Sequence, residues 1–190
     1  MKHNISWKKY IKKRESNPPR PLLVEAVEYV EKKDTAFDLG SGTMNDTRFL
    51  LKHFKNVIAI DSDASSKERA EKIENKNLEF VFDDFEKVPF PKCDLINAQF
   101  VLPYSEDFNS LFQKISTSLK QGGIFTGQLF GDKDSWNTGN DFRVYHTKNE
   151  VEDLFSKFKI IKLVEEEKDK ESALGVPKHS HIFHFIVRKT

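Results

Sequence analysis

Short apolar runs alternate along the chain with segments in which apolar residues repeat at helical spacing. Short bounded runs are typical of buried strands, and a repeat of about 3.6 residues is typical of amphipathic helices. Seven strands are predicted, at residues 35–39, 56–60, 78–82, 93–98, 124–130, 159–164 and 181–188. Helices are predicted at residues 7–14, from residue 21 onward, and at residues 46–54, 66–74, 107–119 and 148–158, the last opened by a capping box of Thr147 and Glu150.

The order of these elements predicts the fold class. Strands that alternate with helices of this length pair in parallel through right-handed crossovers. We therefore expect an α/β fold, a doubly wound Rossmann-like seven-stranded sheet that is mostly parallel and has helices on both faces. The polar segment 165–178 has no helical pattern. The last strand is accordingly predicted to be antiparallel, and the charged stretch 165–171 to be a solvated loop or a frayed strand end.

Length and charge narrow the class of protein. A chain of 190 residues fits one domain, predicted here as an amino-terminal helix or lid at 1–20 and a Rossmann-like core at 21–190. The formal net charge of +1 argues against a protein that neutralises many phosphates, so nucleic acid is not an expected partner. The single cysteine, the polar amino terminus and the lack of any apolar run near the roughly 20 residues of a membrane span predict a soluble, cytoplasmic protein.

A glycine turn follows the first predicted strand directly, in Asp38-Leu39-Gly40-Ser41-Gly42. Gly40 allows the chain to turn sharply, and Gly42 removes a side chain where a ligand must approach the backbone. Asp61 ends the next strand about 20 residues later, where a carboxylate accepts the hydroxyls of a ribose. The third strand runs into Asp83-Asp84-Phe85, which offers a carboxylate and an aromatic wall to an adenine. Because parallel strands end at one edge of the sheet, these residues predict a nucleoside site.

These motifs resemble the class I S-adenosylmethionine-dependent methyltransferases over residues 20–190. The turn at 38–42 resembles the first motif of that family, and residues 94–98 resemble the fourth-strand motif beside the methyl donor. The resemblance implies S-adenosyl-L-methionine as cofactor. It implies these cofactor-binding residues: Asp38, Gly40, Ser41, Gly42, Asp61, Ser62, Asp83, Asp84, Phe85 and Asn97.

Within the family, residues 46–51 and 175–184 are most similar to bacterial small-molecule members, including tellurite-resistance-like methyltransferases. One departure is Met44, which stands where the family has a third glycine. We expect Met44 to alter the pocket or to shift the loop. Asn45 or Asp46 is expected to cap the helix that follows.

The resemblance implies methyl transfer to a small-molecule acceptor, an activity of class EC 2.1.1.-, but specifies neither the acceptor nor an oligomeric state. A sulfonium methyl is already electrophilic, so the protein mainly has to position the acceptor. A nearby base helps if the acceptor carries a proton, and position can suffice if the acceptor is an anion; the sequence does not decide between the two, and no catalytic residue is named. The acceptor is expected above the fourth and fifth strands, beneath two lids at residues 7–20 and 131–146. Its candidate contacts are Trp7, Tyr10, Tyr104, Trp136, His146 and His181.

Other functions were weighed against the methyltransferase. His179 and His181 face one side of a strand and His184 the other, so no metal site is predicted. A nicotinamide-dependent oxidoreductase also uses a glycine turn and a ribose acid, but Asp38 within the motif disfavours it. A non-catalytic cofactor-binding module remains open, and so does methylation of RNA or protein through the basic stretch 8–20.

Overall fold

In a computed structural model, residues 7–140, 142–172 and 175–190 are described, with the exception of the Lys8 side chain. The described helices are α1 (Trp7–Arg14), α2 (Pro21–Glu28), α3 (Asn45–Leu50), α4 (Ala64–Ala70), α5 (Phe108–Ser118) and α6 (Lys148–Leu154), with a short 3-10 helix at Leu102–Tyr104. The described strands are β1 (Thr35–Leu39), β2 (Asn56–Ile60), β3 (Leu78–Val81), β4 (Cys93–Ala98), β5 (Leu119–Gly131), β6 (Tyr145–His146), β7 (Phe158–Glu171) and β8 (Pro177–Lys189).

The described strands form one mixed sheet in the order β3-β2-β1-β4-β5-β8-β7, with the two-residue β6 paired to the end of β5. Strands β1 to β5 pair in parallel. Strand β8 runs antiparallel to both β5 and β7. The predicted doubly wound, mostly parallel sheet with an antiparallel last strand is therefore confirmed, and β6 is an eighth strand that the sequence pattern did not indicate.

The polar segment after residue 164 differs from its prediction. It is not a loop, because β7 continues to Glu171 and pairs in register with β8, which begins at Pro177. The charges along β7 do not prevent pairing, since they find partners: Glu166 accepts from both Lys168 and Lys170 at 2.8 Å. Polar residues on a two-stranded extension of the sheet can stay solvated on one face, and this hides the strand from an apolar pattern.

Alternate residues of the central strands pack on opposite faces of the sheet. Phe37, Ile96 and Phe125 join the apolar cluster beneath α5 and α6. Their chain neighbours join a second cluster with α2 and α3, formed by Ala36, Leu95 and Ile124. The two-residue period of a strand thus places helices on both faces, as predicted. None of the described helices is long and apolar enough to cross a membrane.

The predicted helices exist, but several end earlier than expected. Helix α3 ends at Leu50 and α4 at Ala70, and both are followed by turns. The predicted capping box is present, because the Thr147 side chain accepts from the Glu150 amide and the Glu150 carboxylate accepts from the Thr147 amide. In the register of the central strands, Asp38 lies opposite Asn97 and Leu39 opposite Ile60. The ends of β1, β2 and β4 therefore meet at one edge.

Candidate functional site

The glycine turn leaves β1 and is held against the end of β2. Gly40 has φ +65°, and a Cβ placed there would lie 2.7 Å from Val101, so both the backbone angle and the space require glycine. Its amide donates to the carbonyl of Ile60 at 2.8 Å. The amide of Gly42 donates to the Asp61 carboxylate at 2.7 Å. The turn and the predicted ribose acid are thus one hydrogen-bonded unit.

Asp61 is prepared as an acceptor. One carboxylate oxygen accepts from Gly42 and the other from the amide of Asp63 at 2.8 Å. Burial raises the pKa of Asp61, and the two amide hydrogen bonds oppose that rise. Each carboxylate oxygen keeps a further lone pair, and the residue lines a cavity. It can therefore accept additional hydroxyl donors.

Asp38 lies buried in a polar network behind the turn. Its carboxylate accepts from the Thr47 hydroxyl at 2.5 Å and from the Asn97 amide at 2.8 Å. Burial, followed by the nearby charge of Asp46, raises the pKa of Asp38 to about 7. Asn97 is fully buried and does not line the cavity. Its position, opposite Asp38 in the register, makes it a support for that carboxylate.

Met44 does not obstruct the pocket. Its backbone keeps the left-handed conformation that the usual glycine would adopt, with φ 63° and ψ 11°. Its side chain is fully buried in a small cluster with Ala59 and Ala70. The expectation that Met44 alters the pocket or shifts the loop was therefore wrong for the side chain, because that side chain points into the core.

Asn45 and Asp46 do not cap α3, contrary to expectation, since Met44 occupies the cap position without any side-chain hydrogen bond. The Asn45 side-chain amide lies within hydrogen-bond distance of three backbone carbonyls at the end of α1 and just after it. Asp46 accepts from the backbone amide of Arg20 at 2.8 Å. These two polar residues instead fasten the amino-terminal segment to the glycine turn.

Of the three residues predicted to bind the cofactor in the loop after β3, two line the cavity and one does not. Asp84 and Phe85 line the cavity, together with Ser62 beside the ribose acid. Asp83 is exposed and accepts from the amide of Asp84 at 2.7 Å. Asp83 was expected to bind cofactor, but its carboxylate caps the loop backbone outside the cavity.

One cavity of about 1560 Å³ joins the strand ends to the amino-terminal helix and to the segment after β5. Sites for a single small ligand usually span roughly 300–1,000 Å³, so this cavity has room for two. Its far end is aromatic. Trp7 lies 4.9 Å from Tyr104 between ring centroids, and the wall continues through Tyr10, Phe130, Trp136 and Phe142.

The segment between β5 and β6 is fixed by a buried ion pair. Lys178 lies 2.6 Å from Asp134, and their side chains are 5% and 0% exposed. The Lys178 ammonium also lies 3.5 Å from the centroid of Trp136. This pair holds Trp136 in the cavity wall, where the sequence predicted an acceptor contact.

Two predicted acceptor contacts lie elsewhere. His146 is buried against Phe108, with ring centroids 4.7 Å apart, and burial lowers its pKa. His181 is 1% exposed and packs over Gly131, where a Cβ would lie 2.1 Å from the imidazole. Neither histidine lines the cavity. Both support the end of β5 from behind.

Glu165, Glu167 and His181 bring possible metal-ligand atoms within 4.8 Å of one another. The Nδ1 atom of His181 accepts from the Lys133 amide at 3.2 Å, which leaves Nε2 to donate to Glu165 at 3.1 Å. Glu165 also pairs with Lys148, and Glu167 pairs with Lys133. Hydrogen bonds and ion pairs therefore account for this cluster.

Sequence reasoning missed several cavity residues. Arg14 and Arg20 were noticed only as part of a basic stretch, yet both line the cavity. Phe100, just beyond β4, has φ 59° and lies 4.7 Å beneath the Arg20 guanidinium. Arg143 lies 4.4 Å from the Trp136 ring. The only sequence signal for Arg20 was its place between prolines, which marks a chain held extended beside a helix start.

Residues 37–126 match the family described as a methyltransferase domain. With the fold, this match confirms the resemblance to the class I S-adenosylmethionine-dependent methyltransferases. Two of the similar structures described below contain bound S-adenosylhomocysteine. Nothing favours the oxidoreductase or the non-catalytic module over this activity. No curated protein sequence matches the chain.

Solved structures extend the likeness to most of the chain. TehB from Haemophilus influenzae is 18% identical with a TM-score of 0.75, over 95% of this chain and 66% of TehB. The N-methyltransferase NodS from Bradyrhizobium japonicum WM9, in complex with S-adenosyl-L-homocysteine, is 15% identical with a TM-score of 0.69, over 97% and 99% of the two chains.

A third structure is the 1,6-didemethyltoxoflavin-N1-methyltransferase from Burkholderia thailandensis, with bound 1,6-didemethyltoxoflavin and S-adenosylhomocysteine. It is 17% identical with a TM-score of 0.65, over 90% of this chain and 77% of that one. At such identities the three structures establish a shared fold. The predicted likeness to tellurite-resistance-like methyltransferases is confirmed at that level, and the chain spans about two thirds of TehB.

Proposed function

We propose that this protein transfers the methyl group of S-adenosylmethionine to a small-molecule acceptor bound at the aromatic end of the cavity. The observation that carries the proposal is the continuity of one large space from the strand-end carboxylates to the aromatic wall. A donor at one end and an acceptor at the other then share a single cavity. Enclosure by α1 and by the segment after β5 favours a small acceptor over a polymer.

In this proposal the cofactor lies along the ends of β1, β2 and β3. Asp61 accepts the ribose hydroxyls, while Asp84 and Phe85 face the adenine. Asp38, Gly40, Ser41 and Gly42 surround the methionine portion, and Ser62 lies beside the ribose. Asn97 acts indirectly, through its hydrogen bond to Asp38, and Asp83 has no contact. Carboxylates at the carboxyl edge of a parallel sheet are well placed for this ligand.

The turn supports this assignment through an unsatisfied group. The Ser41 hydroxyl is buried, lines the cavity and has no hydrogen-bond partner among the described residues. A buried hydroxyl without a partner costs about 1–3 kcal/mol. A polar ligand at the turn would supply the missing hydrogen bond, which is what an amino-acid portion of a cofactor offers.

The bound cofactor supplies a methyl on a positively charged sulfur, which passes to an acceptor nucleophile while the sulfur keeps the electron pair of the broken bond. The protein's contribution is to align the acceptor and to exclude water. Among the described residues, no histidine lines the cavity. We therefore assign catalysis to positioning by the aromatic wall. Trp7, Tyr10, Tyr104 and Trp136 are the proposed acceptor contacts.

The amino-terminal segment is proposed as a lid, with residues 21–190 as the core of a single domain. Ile11 is 3% exposed and lies over the turn, 3.7 Å from where a Gly42 Cβ would be. Trp7 reaches Tyr104 on the far side of the cavity. Helix α1 thus bridges the two ends, and its release would open both.

The test is to follow a labelled methyl group. The protein is incubated with methyl-labelled S-adenosylmethionine and a cell extract separated into small-molecule, RNA and protein fractions. We expect label in the small-molecule fraction together with stoichiometric S-adenosylhomocysteine. The Asp61→Ala variant is the control for cofactor-dependent transfer.

Two other outcomes would contradict the proposal. Label that enters RNA or protein alone would overturn the small-molecule proposal and favour the basic stretch as a docking surface. Tight cofactor binding without transfer to any fraction would instead favour a non-catalytic module.

A further inference from the structure

The amino-terminal segment carries two arginines into the cavity. The Arg20 guanidinium donates to the Tyr10 hydroxyl at 2.9 Å and lies over the Phe100 ring. The Arg14 guanidinium lies 6.0 Å from the centroid of Tyr10. Tyr10 therefore contacts both guanidinium groups at the wall of the cavity.

Neither guanidinium has a carboxylate partner within ion-pair distance in the described ranges. The nearby Asp46 accepts from the backbone amide of Arg20 instead. Burial and the charge of Arg20 both lower the pKa of Arg14. The attraction of Asp46 raises the pKa of Arg14 in opposition to these two effects. The two half-buried guanidinium groups thus share one partly buried carboxylate and keep a net positive charge, which an anionic ligand would balance.

The same wall presents aromatic rings in an unbroken series. Tyr10 lies 6.0 Å from Trp7, and Trp7 lies 4.9 Å from Tyr104. Beyond Tyr104 come Phe130 at 6.2 Å and Phe142 at 6.1 Å. Neighbouring rings are close to perpendicular, at 89° for Trp7 and Tyr10 and 80° for Trp7 and Tyr104, so the wall presents ring faces and ring edges in turn. A planar aromatic ligand can make edge-to-face or offset contacts with such a wall. The charged end and the aromatic wall meet at Tyr10.

We infer that the acceptor is a planar aromatic anion, with its ring on the wall from Tyr10 to Tyr104 and its anionic group between Arg14 and Arg20. Guanidinium groups bind carboxylates through paired hydrogen bonds, so an aromatic carboxylate fits best. This inference rests on the proposed function and adds the chemical class of the acceptor. The carboxylates would then bind the cofactor at one end of the cavity, and the arginines would bind the anionic acceptor at the other.

A carboxylate has two possible sources here, because the methionine portion of the cofactor also carries one. The backbone of Arg20 is bound to Asp46 beside the glycine turn. Its guanidinium, however, lies over Phe100, beyond the end of β4, and donates to Tyr10 at the aromatic wall. These guanidinium contacts favour the acceptor. The glycine turn contributes instead the Ser41 hydroxyl. The experiment separates the two sources directly.

Calorimetry on the protein saturated with S-adenosylhomocysteine measures the acceptor site. The probes are 2-naphthoate, the uncharged 2-naphthamide and the non-aromatic cyclohexanecarboxylate. We expect 2-naphthoate to bind at least about tenfold more tightly than either of the others. Arg20→Gln should lower 2-naphthoate affinity at least about tenfold and leave 2-naphthamide affinity unchanged. Lys13→Gln, at an exposed position of α1, is the matched control and should leave the affinities for both 2-naphthoate and 2-naphthamide unchanged.

A second pair of ligands tests the cofactor as the source of the carboxylate. S-adenosylhomocysteine carries an amino-acid portion, and 5′-methylthioadenosine lacks it. If Arg20→Gln weakens only S-adenosylhomocysteine, the arginines hold the cofactor and the inference is overturned. Equal binding of 2-naphthoate and 2-naphthamide also overturns it. Neither result affects the proposed function, which fails only if label enters a macromolecule or no acceptor at all.

Discussion

The two ends of the cavity are built in different ways. At the cofactor end, polar groups follow directly from the ends of adjacent parallel strands, and backbone amides hold them, as Gly42 and Asp63 hold Asp61. At the acceptor end, side chains come from α1, from the residues after β4 and from the segment after β5. They are held by side-chain contacts such as the Lys178–Asp134 pair.

The difference indicates which end can vary. Strand ends are fixed by the sheet, so the cofactor end can change little without loss of the fold. Loops and a terminal helix are fixed by a few contacts each, and these can be exchanged. A shared cofactor with unlike acceptors is what such a division allows. Four predictions test it, from the largest expected effect to the smallest.

The largest effect concerns the protonation of Asp38 at the cofactor end. Its pKa is about 7 in the folded protein, against an ordinary value of 3.8 for an aspartate. The folded state therefore holds this proton more tightly than the unfolded chain does. The resulting stability is fully present below about pH 4 and is lost as the pH rises to about 7, by roughly 4 kcal/mol at 1.4 kcal/mol per pKa unit.

Urea unfolding of the wild type and of Asp38→Asn, from pH 4.5 to pH 8, measures this term. Burial also raises the pKa values of Asp46 and Asp61, and the variant serves to subtract their common contribution. The difference reports Asp38 together with its electrostatic interaction with Asp46. We expect the wild type to lose stability relative to the variant as the pH rises. Parallel curves would mean that Asp38 is ionised throughout, and the cofactor end would then lack its buried neutral acid.

The second prediction is that Asp61→Ala weakens binding of S-adenosylhomocysteine by about 3 kcal/mol, or about 150-fold. Two ribose hydroxyls lose a charged acceptor, at about 1.5–3 kcal/mol for each hydrogen bond to a charged group. Isothermal titration gives the dissociation constant. Asp83→Ala, an acidic residue outside the cavity, should bind normally. An unchanged constant for Asp61→Ala would remove the ribose assignment.

The third prediction is that Met44→Gly destabilises the protein by about 2 kcal/mol, although the family has glycine there. Glycine relieves about 1–2 kcal/mol of left-handed strain, but loss of a fully buried Met side chain costs about 2–5 kcal/mol. Denaturant unfolding measures the net effect. Affinity for S-adenosylhomocysteine should not change, because the side chain faces the core. A more stable variant would show that strain outweighs packing at this position.

The smallest effect tests the attachment of the acceptor end. Asn45→Ala removes the amide that contacts three carbonyls between residues 14 and 17, and we expect a loss of about 1 kcal/mol confined to that segment. Hydrogen exchange should quicken in α1 and remain slow in β1 to β4. Asn109→Ala, at an exposed position of α5, is the control. Faster exchange throughout the sheet would contradict separate attachment of the two ends.

More of the residues at the proposed cofactor end than at the proposed acceptor end could be predicted from the sequence. The turn at 38–42, Asp61 and the Asp84-Phe85 pair were all placed beside the cavity before the fold was known. Asn97 was correctly placed in β4 but lies behind Asp38. The aromatic wall was predicted in part, through Trp7, Tyr10, Tyr104 and Trp136. Arg14 and Arg20 were missed as cavity residues, and His146 and His181 were misplaced.

By itself the sequence determined the order of strands and helices, the single antiparallel strand and the residues that end each parallel strand. Those features are local, because an apolar run defines a strand and the next residue lies at its end. The tertiary structure decided which way Met44 points, what Asn45 and Asp46 bind, and that two arginines line the cavity. These depend on contacts between segments far apart in the chain, which leave no periodic trace in the sequence.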